Sequence, residues 1–143
     1  MIWKDAAEEK LTMYPVRVAA AQNLQEQLQL LKCKKGSINS PQYNIPRVCS
    51  TPGRREDLLL NEIALEQELK WALAQTQTWI RVTERALDTL PSDDRSVLEG
   101  LYMEPDKGNI DKLCRKMMLE RSSIYRRRDN ALRRFTAALY GGS

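Results

Sequence analysis

NIDKLCRKMMLERSSIYRRRDNALRRF, residues 109–135, reads as a short helix, a tight turn and a longer helix. Ile110, Leu113, Cys114 and Met117 fall at i, i+3, i+4 and i+7, one face of a helix, with Asn109 placed to cap it. Lys112, Arg115 and Lys116 lie on the opposite, solvent side. Met118-Leu119-Glu120 is too short for another element and makes the turn. Arg121 or Ser122 starts the second helix, whose inward set is Ile124, Ala131, Leu132, Phe135 and Leu139. One turn of that stripe is interrupted by Arg127 and Arg128.

Moving towards the N-terminus, Leu90-Pro91-Ser92 opens another helix. Ser92 is the expected cap, with Asp93 and Asp94 in the first turn, where carboxylates suit the positive end of the helix dipole. Val97, Leu98, Leu101 and Tyr102 form its apolar face, and Pro105 and Gly108 end it. Residues 91–143 therefore form a three-helix domain of helix-turn-helix plan.

Two longer helical stretches precede it. In the first, Leu11, Tyr14, Val18, Ala21, Leu24, Leu28 and Leu31 recur at steps of three and four, and Pro15 predicts a kink or a helix start within that pattern. In the second, residues 56–90, one track runs Leu58, Leu65, Leu69, Ala72, Trp79, Ala86, Leu90 and another runs Leu59, Ile63, Leu73, Ile80, Leu87. Between them, residues 36–55 hold three prolines, two glycines and four Ser or Thr, which makes a connector. The fold class is all-α, and residues 1–90 are expected to form a coiled-coil-like helical hairpin. Two helices alone leave much apolar surface exposed, so a homodimer through the hairpin is an expected partner state.

The 143 residues carry a formal net charge of +4, unevenly placed. Residues 109–143 hold nine Lys or Arg against three Asp or Glu, a net +6, so the whole basic excess sits in the last quarter. That asymmetry points to a polyanion. In a helix-turn-helix unit the second helix enters the DNA major groove by its N-terminal end. The side chains that would meet base edges are Arg121, Ser122, Ser123, Tyr125 and Arg126. Lys112, Arg115, Lys116, Arg127, Arg128, Arg133 and Arg134 suit the phosphates, which position the protein without reading sequence.

Residues 90–135 resemble region 4 of the sigma-70 factors. LPSDDRSVLEGLY is similar to that family's opening helix, and Ile110, Leu113, Cys114, Met117, Leu119, Ile124, Ala131, Leu132 and Phe135 match its helix-turn-helix positions. Met118 stands where the family has a turn glycine, Glu120 where it has a Ser or Thr cap, and Arg127 at a commonly apolar position. The layout of the whole chain is similar to ArpU-like and RinA-like phage transcriptional regulators of low-GC Gram-positive bacteria. The resemblance implies a sequence-specific, DNA-binding transcription regulator of phage or prophage type, acting with host RNA polymerase. Nothing matches the sigma regions that melt a promoter. Two other readings fit the same features: a small terminase-like DNA-packaging subunit, and a protein-protein adapter with a basic helix.

Histidine is absent, so no Ser-His or Cys-His nucleophile pair and no zinc-finger spacing can be built. The glycines are scattered and form no phosphate loop. No enzyme, cofactor or metal is expected. Cys33, Cys49 and Cys114 are odd in number and widely spaced, as for reduced thiols, with Cys114 on an apolar face. No apolar run approaches a membrane span and the N-terminus lacks an apolar secretory core, so the expectation is a cytoplasmic protein without membrane contact.

Overall fold

A computed structural model of the chain describes residues 2–38, 54–104 and 108–141. The described residues are all-α, without a strand. The order is α1 (Ile2–Ile38), α2 (Arg54–Asp88), α3 (Ser92–Leu98), a π-helical turn (Glu99–Met103), α4 (Asn109–Met117) and α5 (Arg121–Tyr140). Helix covers both ends of the segment read as a connector, because Gly36, Ser37 and Ile38 complete the last turn of α1 and Arg54 already opens α2. Residues 39–53 lie outside the described residues, and so does Cys49. No helix among the described residues is long and apolar enough to cross a membrane.

The chain divides into two compact units. The larger comprises Met1–Val18 and Thr78–Ser143, and the smaller comprises Ala19–Gln77. The larger unit has one main core. Ala7 and Leu11 of α1, Ala86 and Leu87 of α2, Leu90, Leu98 of α3, and Ala131, Leu132 and Phe135 of α5 pack together. Leu11, Leu98, Leu132 and Phe135 are completely buried. Trp3, Tyr102, Met103 and Leu139 close its edge. A second cluster joins one residue from each helix of the C-terminal trio, Val97, Leu113 and Ile124, with Leu101, Ile110, Cys114, Met117 and Leu119 around it.

Pro15 neither starts nor ends α1, which runs through it. Proline removes one backbone donor and strains the preceding turn, but Ala7 and Leu11 anchor that turn in the core. One turn on, the Tyr14 hydroxyl donates to Glu84 Oε1 of α2, and the Arg17 guanidinium stacks 5.3 Å from the Trp79 ring centroid. These two pairs progress in opposite chain senses, so the α1 and α2 segments of this unit are antiparallel. Thr83 is fully buried between them, and its hydroxyl is satisfied by donating to the Trp79 carbonyl at 2.8 Å.

Ser92 does not cap α3. The N-cap position is Pro91, with φ −57° and ψ 151°, and no side chain bonds there. The Pro91 carbonyl instead accepts the Arg95 N–H at 3.0 Å, which makes Ser92 the first helical residue. Extended backbone ahead of a helix is what proline's fixed φ favours. After Leu98 the helix widens, and the Glu104 N–H bonds the Glu99 carbonyl five residues back at 2.9 Å. Gly100 permits close approach there, since a Cβ would sit 3.2 Å from Leu113 side-chain carbons.

Two tests follow from this packing. Met118 is 89% exposed and holds the left-handed conformation, φ 56° and ψ 42°. It gains nothing from burial to offset that strain, so Met118→Gly is expected to stabilise the fold by about 1 kcal/mol, read as a higher urea midpoint. Tyr14 is pushed from 10.0 up to about 12, first by burial and then by its bond to Glu84. Tyr102 is raised too, by burial and by donating to Glu8 Oε1 at 3.0 Å. The folded chain thus binds these phenol protons more tightly than the unfolded chain. That stabilisation is full below pH 10 and is lost as pH rises towards about 12. Thermal melts at pH 8 and pH 11 should show a loss that shrinks in Tyr14→Phe/Tyr102→Phe.

Candidate nucleic-acid interface

The two helices that carry the basic residues meet through a three-residue turn. Gly108, at φ 82°, precedes α4, and its carbonyl accepts the Lys112 N–H at 3.0 Å. Asn109 does not cap α4; its side-chain amide donates to the Gly100 carbonyl at 2.6 Å and also to the Glu104 carbonyl. It thereby ties the start of α4 to the π-helical turn. At the far end the N–H groups of Met118 and Leu119 both turn back to the Cys114 carbonyl. The left-handed Met118 reverses the chain, and Glu120 enters α5 in extended conformation, φ −75° and ψ 160°.

No side chain caps α5, and its first turn holds no acidic residue. Its first N–H groups and the positive end of its dipole therefore face outward beside Arg121, Ser122 and Ser123. Arg121, Ser122, Tyr125 and Arg126 are exposed and Ser123 is half-buried. Ile124, Ala131, Leu132 and Phe135 fix the opposite face in the core. The five residues read as base-contacting thus share the outward side of the first two turns.

Acidic partners divide the basic residues into two sets. Arg121 donates to Asp111 Oδ1 at 2.8 Å, Arg127 to Asp93 Oδ2 at 3.1 Å and Arg134 to Asp94 Oδ2 at 2.8 Å. Arg128 grips Asp129 Oδ1 with two nitrogens, at 3.1 and 2.9 Å, and its guanidinium lies 5.0 Å from the Tyr125 ring centroid. The bond from Arg121, then its charge, holds the Asp111 carboxyl below the usual carboxylate range. Burial alone would raise Asp129, but Lys4, 3.1 Å away, and Arg128 outweigh it and hold it below that range. Arg115, Lys116, Arg126 and Arg133 are exposed and carry no ion pair among the described residues. Lys112 is exposed as well.

Asp93 and Asp94 therefore latch α3 to α5 rather than cap α3. A cleft of about 450 Å³ opens along this junction, lined on the α5 side by Ser123, Arg126, Arg127, Asn130 and Arg134. Sequence reasoning missed these acidic members because their partners lie 34 and 40 residues away, beyond any local spacing rule. Arg127 and Arg128, read as a break in the apolar stripe, are half-buried and neutralised by carboxylates. Among the described residues no group of acidic or cysteine side chains is arranged to hold a metal.

Compared with protein-family models, curated proteins and solved structures, the chain matches none.

The two latches differ in burial, and so should their worth. The Asp94 side chain is 9% exposed, whereas that of Asp93 is 69% exposed. Arg134→Ala strands a nearly buried carboxylate and is expected to destabilise by about 1–3 kcal/mol. Arg127→Ala removes a surface pair and should change stability by less than ~1 kcal/mol. Urea unfolding of the two variants measures the difference.

Proposed function

We propose that the chain is a sequence-specific DNA-binding transcription regulator of phage or prophage type, acting with host RNA polymerase. One observation carries the reading: the uncapped, acid-free start of α5 sets Arg121, Ser122, Tyr125 and Arg126 outward, directly after a three-residue turn from α4. In the helix-turn-helix mode, α5 enters the major groove by this end. Arg126 is the strongest base-reading candidate, since it is exposed and unpaired among the described residues, and arginine matches guanine O6 and N7 with two donors. Arg121 reaches a base or phosphate by releasing Asp111, an exchange between exposed groups. Lys112, Arg115 and Lys116 on α4 suit the phosphate backbone flanking the groove.

The ion pairs refine the phosphate set. Arg127, Arg128 and Arg134 already neutralise carboxylates, so they add less to phosphate binding than their number suggests. Arg133, Arg115 and Lys116 carry more of it. The resemblance to sigma region 4 favours a contact with host polymerase over promoter melting.

Binding-site selection from a random duplex library at two salt concentrations tests the reading. An enriched motif that survives moderate salt supports the regulator. Salt-sensitive capture without enrichment favours a packaging subunit, and no capture favours a protein-protein adapter. On the selected site, Arg126→Ala should weaken binding by about 1–3 kcal/mol and relax preference at one base position. Lys116→Ala should weaken all duplexes alike and lower the slope of log K against log salt by about 1. Titration by fluorescence anisotropy reads both; equal behaviour of the two variants would remove the groove assignment.

A further inference from the structure

We infer that the smaller unit, Ala19–Gln77, is a homodimerisation element that closes into a four-helix bundle with the same unit of a second copy. The smaller unit has its polarity inverted along the first half of its α2 segment. Its buried apolar side chains among the described residues are Ala21, Leu28 and Leu31, while Glu62 and Thr76 are buried beside them. The side chains of Glu62 and Glu66 are only 11% and 15% exposed. Over the same stretch of α2, Leu58, Leu60 and Trp71 are 57%, 62% and 67% exposed, and Leu59, Ile63 and Leu65 are exposed as well. A carboxylate seam with leucines outside it is the wrong way round for an isolated helix pair. Of these, Leu58 and Leu65 lie seven residues apart on one side of the helix, where a partner helix would cover both.

Charge selects the occupant and its orientation. In this unit α1 carries Lys32, Lys34 and Lys35 against Glu26, a net +2. The α2 segment carries Glu56, Asp57, Glu62, Glu66 and Glu68 against Arg54, Arg55 and Lys70, a net −2. Within one copy Lys34 already reaches Glu62 at 3.4 Å. A second copy repeats the same complementarity if its α2 lies over α1 of the first. A two-fold axis parallel to the helices produces that arrangement, whereas an axis across them would set like helices against each other. The parallel axis gives each α1 an α2 neighbour on two sides.

The packing face on α2 follows from the flanks of its seam. Leu59 and Ile63 are succeeded on their flank by exposed Lys70, which reaches Glu66 of the seam at 3.1 Å. On the other flank Leu58, Leu65 and Ala72 repeat every seven residues with half-buried Leu69 between them, an apolar track of the kind that joins helix pairs into bundles. Leu58 and Leu65 are its exposed members, 57% and 46%.

Light scattering of the full chain without DNA tests this independently of the DNA-binding reading. The expected mass at tens of micromolar is twice the 16.5 kDa of one chain. Leu58→Glu/Leu65→Glu should return a single-chain mass with unchanged far-ultraviolet helicity. A single-chain mass for the unmodified protein would overturn the proposal, and would leave another protein as the cover for these leucines. A ring or higher multiple would overturn the closed two-fold. A doubled mass that survives Leu58→Glu/Leu65→Glu would overturn the face.

Discussion

Phe135 is the residue on which the larger unit converges. It is completely buried, in one cluster with Leu11 of α1, Leu87 of α2, Leu90 just beyond it, and Leu98 of α3. Burying one such ring with its neighbours is worth several times a surface ion pair. The position of α5, and therefore of every side chain on its outward face, is set by this packing. The ion pairs refine an orientation that the core has already fixed. The first part of α1 belongs to this arrangement, since Ala7 and Leu11 supply the wall that a three-helix domain alone would lack.

The outward face of α5 is built by subtraction. The helix and its neighbours hold many arginines, but carboxylates on α3, α4 and α5 itself engage Arg121, Arg127, Arg128 and Arg134. What remains is a sparser set of cations: Arg126 at the tip, Arg115 and Lys116 on α4, and Arg133 further along. A dense cationic band binds any polyanion with little discrimination. Partial neutralisation lowers that background while leaving the tip of the helix available for directional hydrogen bonds. On this view Asp93, Asp94 and Asp111 belong to the proposed interface as much as the arginines do.

Much of this was legible in the sequence because buried helical faces repeat. The α1 set from Leu11 to Leu31 is buried or half-buried at every member, and so are the apolar sets of α3, α4 and α5. Periodicity failed in the first half of α2. It marks Leu58, Leu59, Ile63 and Leu65 as apolar but cannot say that Glu62 and Glu66 occupy the seam instead. Of the two expectations at Pro15, the helix start fails, because α1 runs through it with Ala7 and Leu11 anchored in the core. Ser92 and Asn109 were read as caps from residue preference alone. The first lost that place to Pro91, and the second spends its amide on the π-helical turn. The pairing of Asp93 and Asp94 with α5 had no sequence signal, because tertiary packing alone brings those positions together.

The π-helical turn at Glu99–Met103 lets one continuous segment serve two cores. Leu101 packs on the Val97–Leu113–Ile124 cluster, whereas Tyr102 and Met103 pack on the Phe135 core. An ordinary α-helical turn would be one residue shorter, and each residue there accounts for ~100° of rotation. Removing a residue between Gly100 and Met103 would restore regular helix geometry while swinging the following side chains out of phase with the cluster they now join. Length in this short stretch is therefore under a constraint that composition is not: it acts as a gear with a fixed tooth count, and a change of residue type there is a smaller perturbation than a change of residue number.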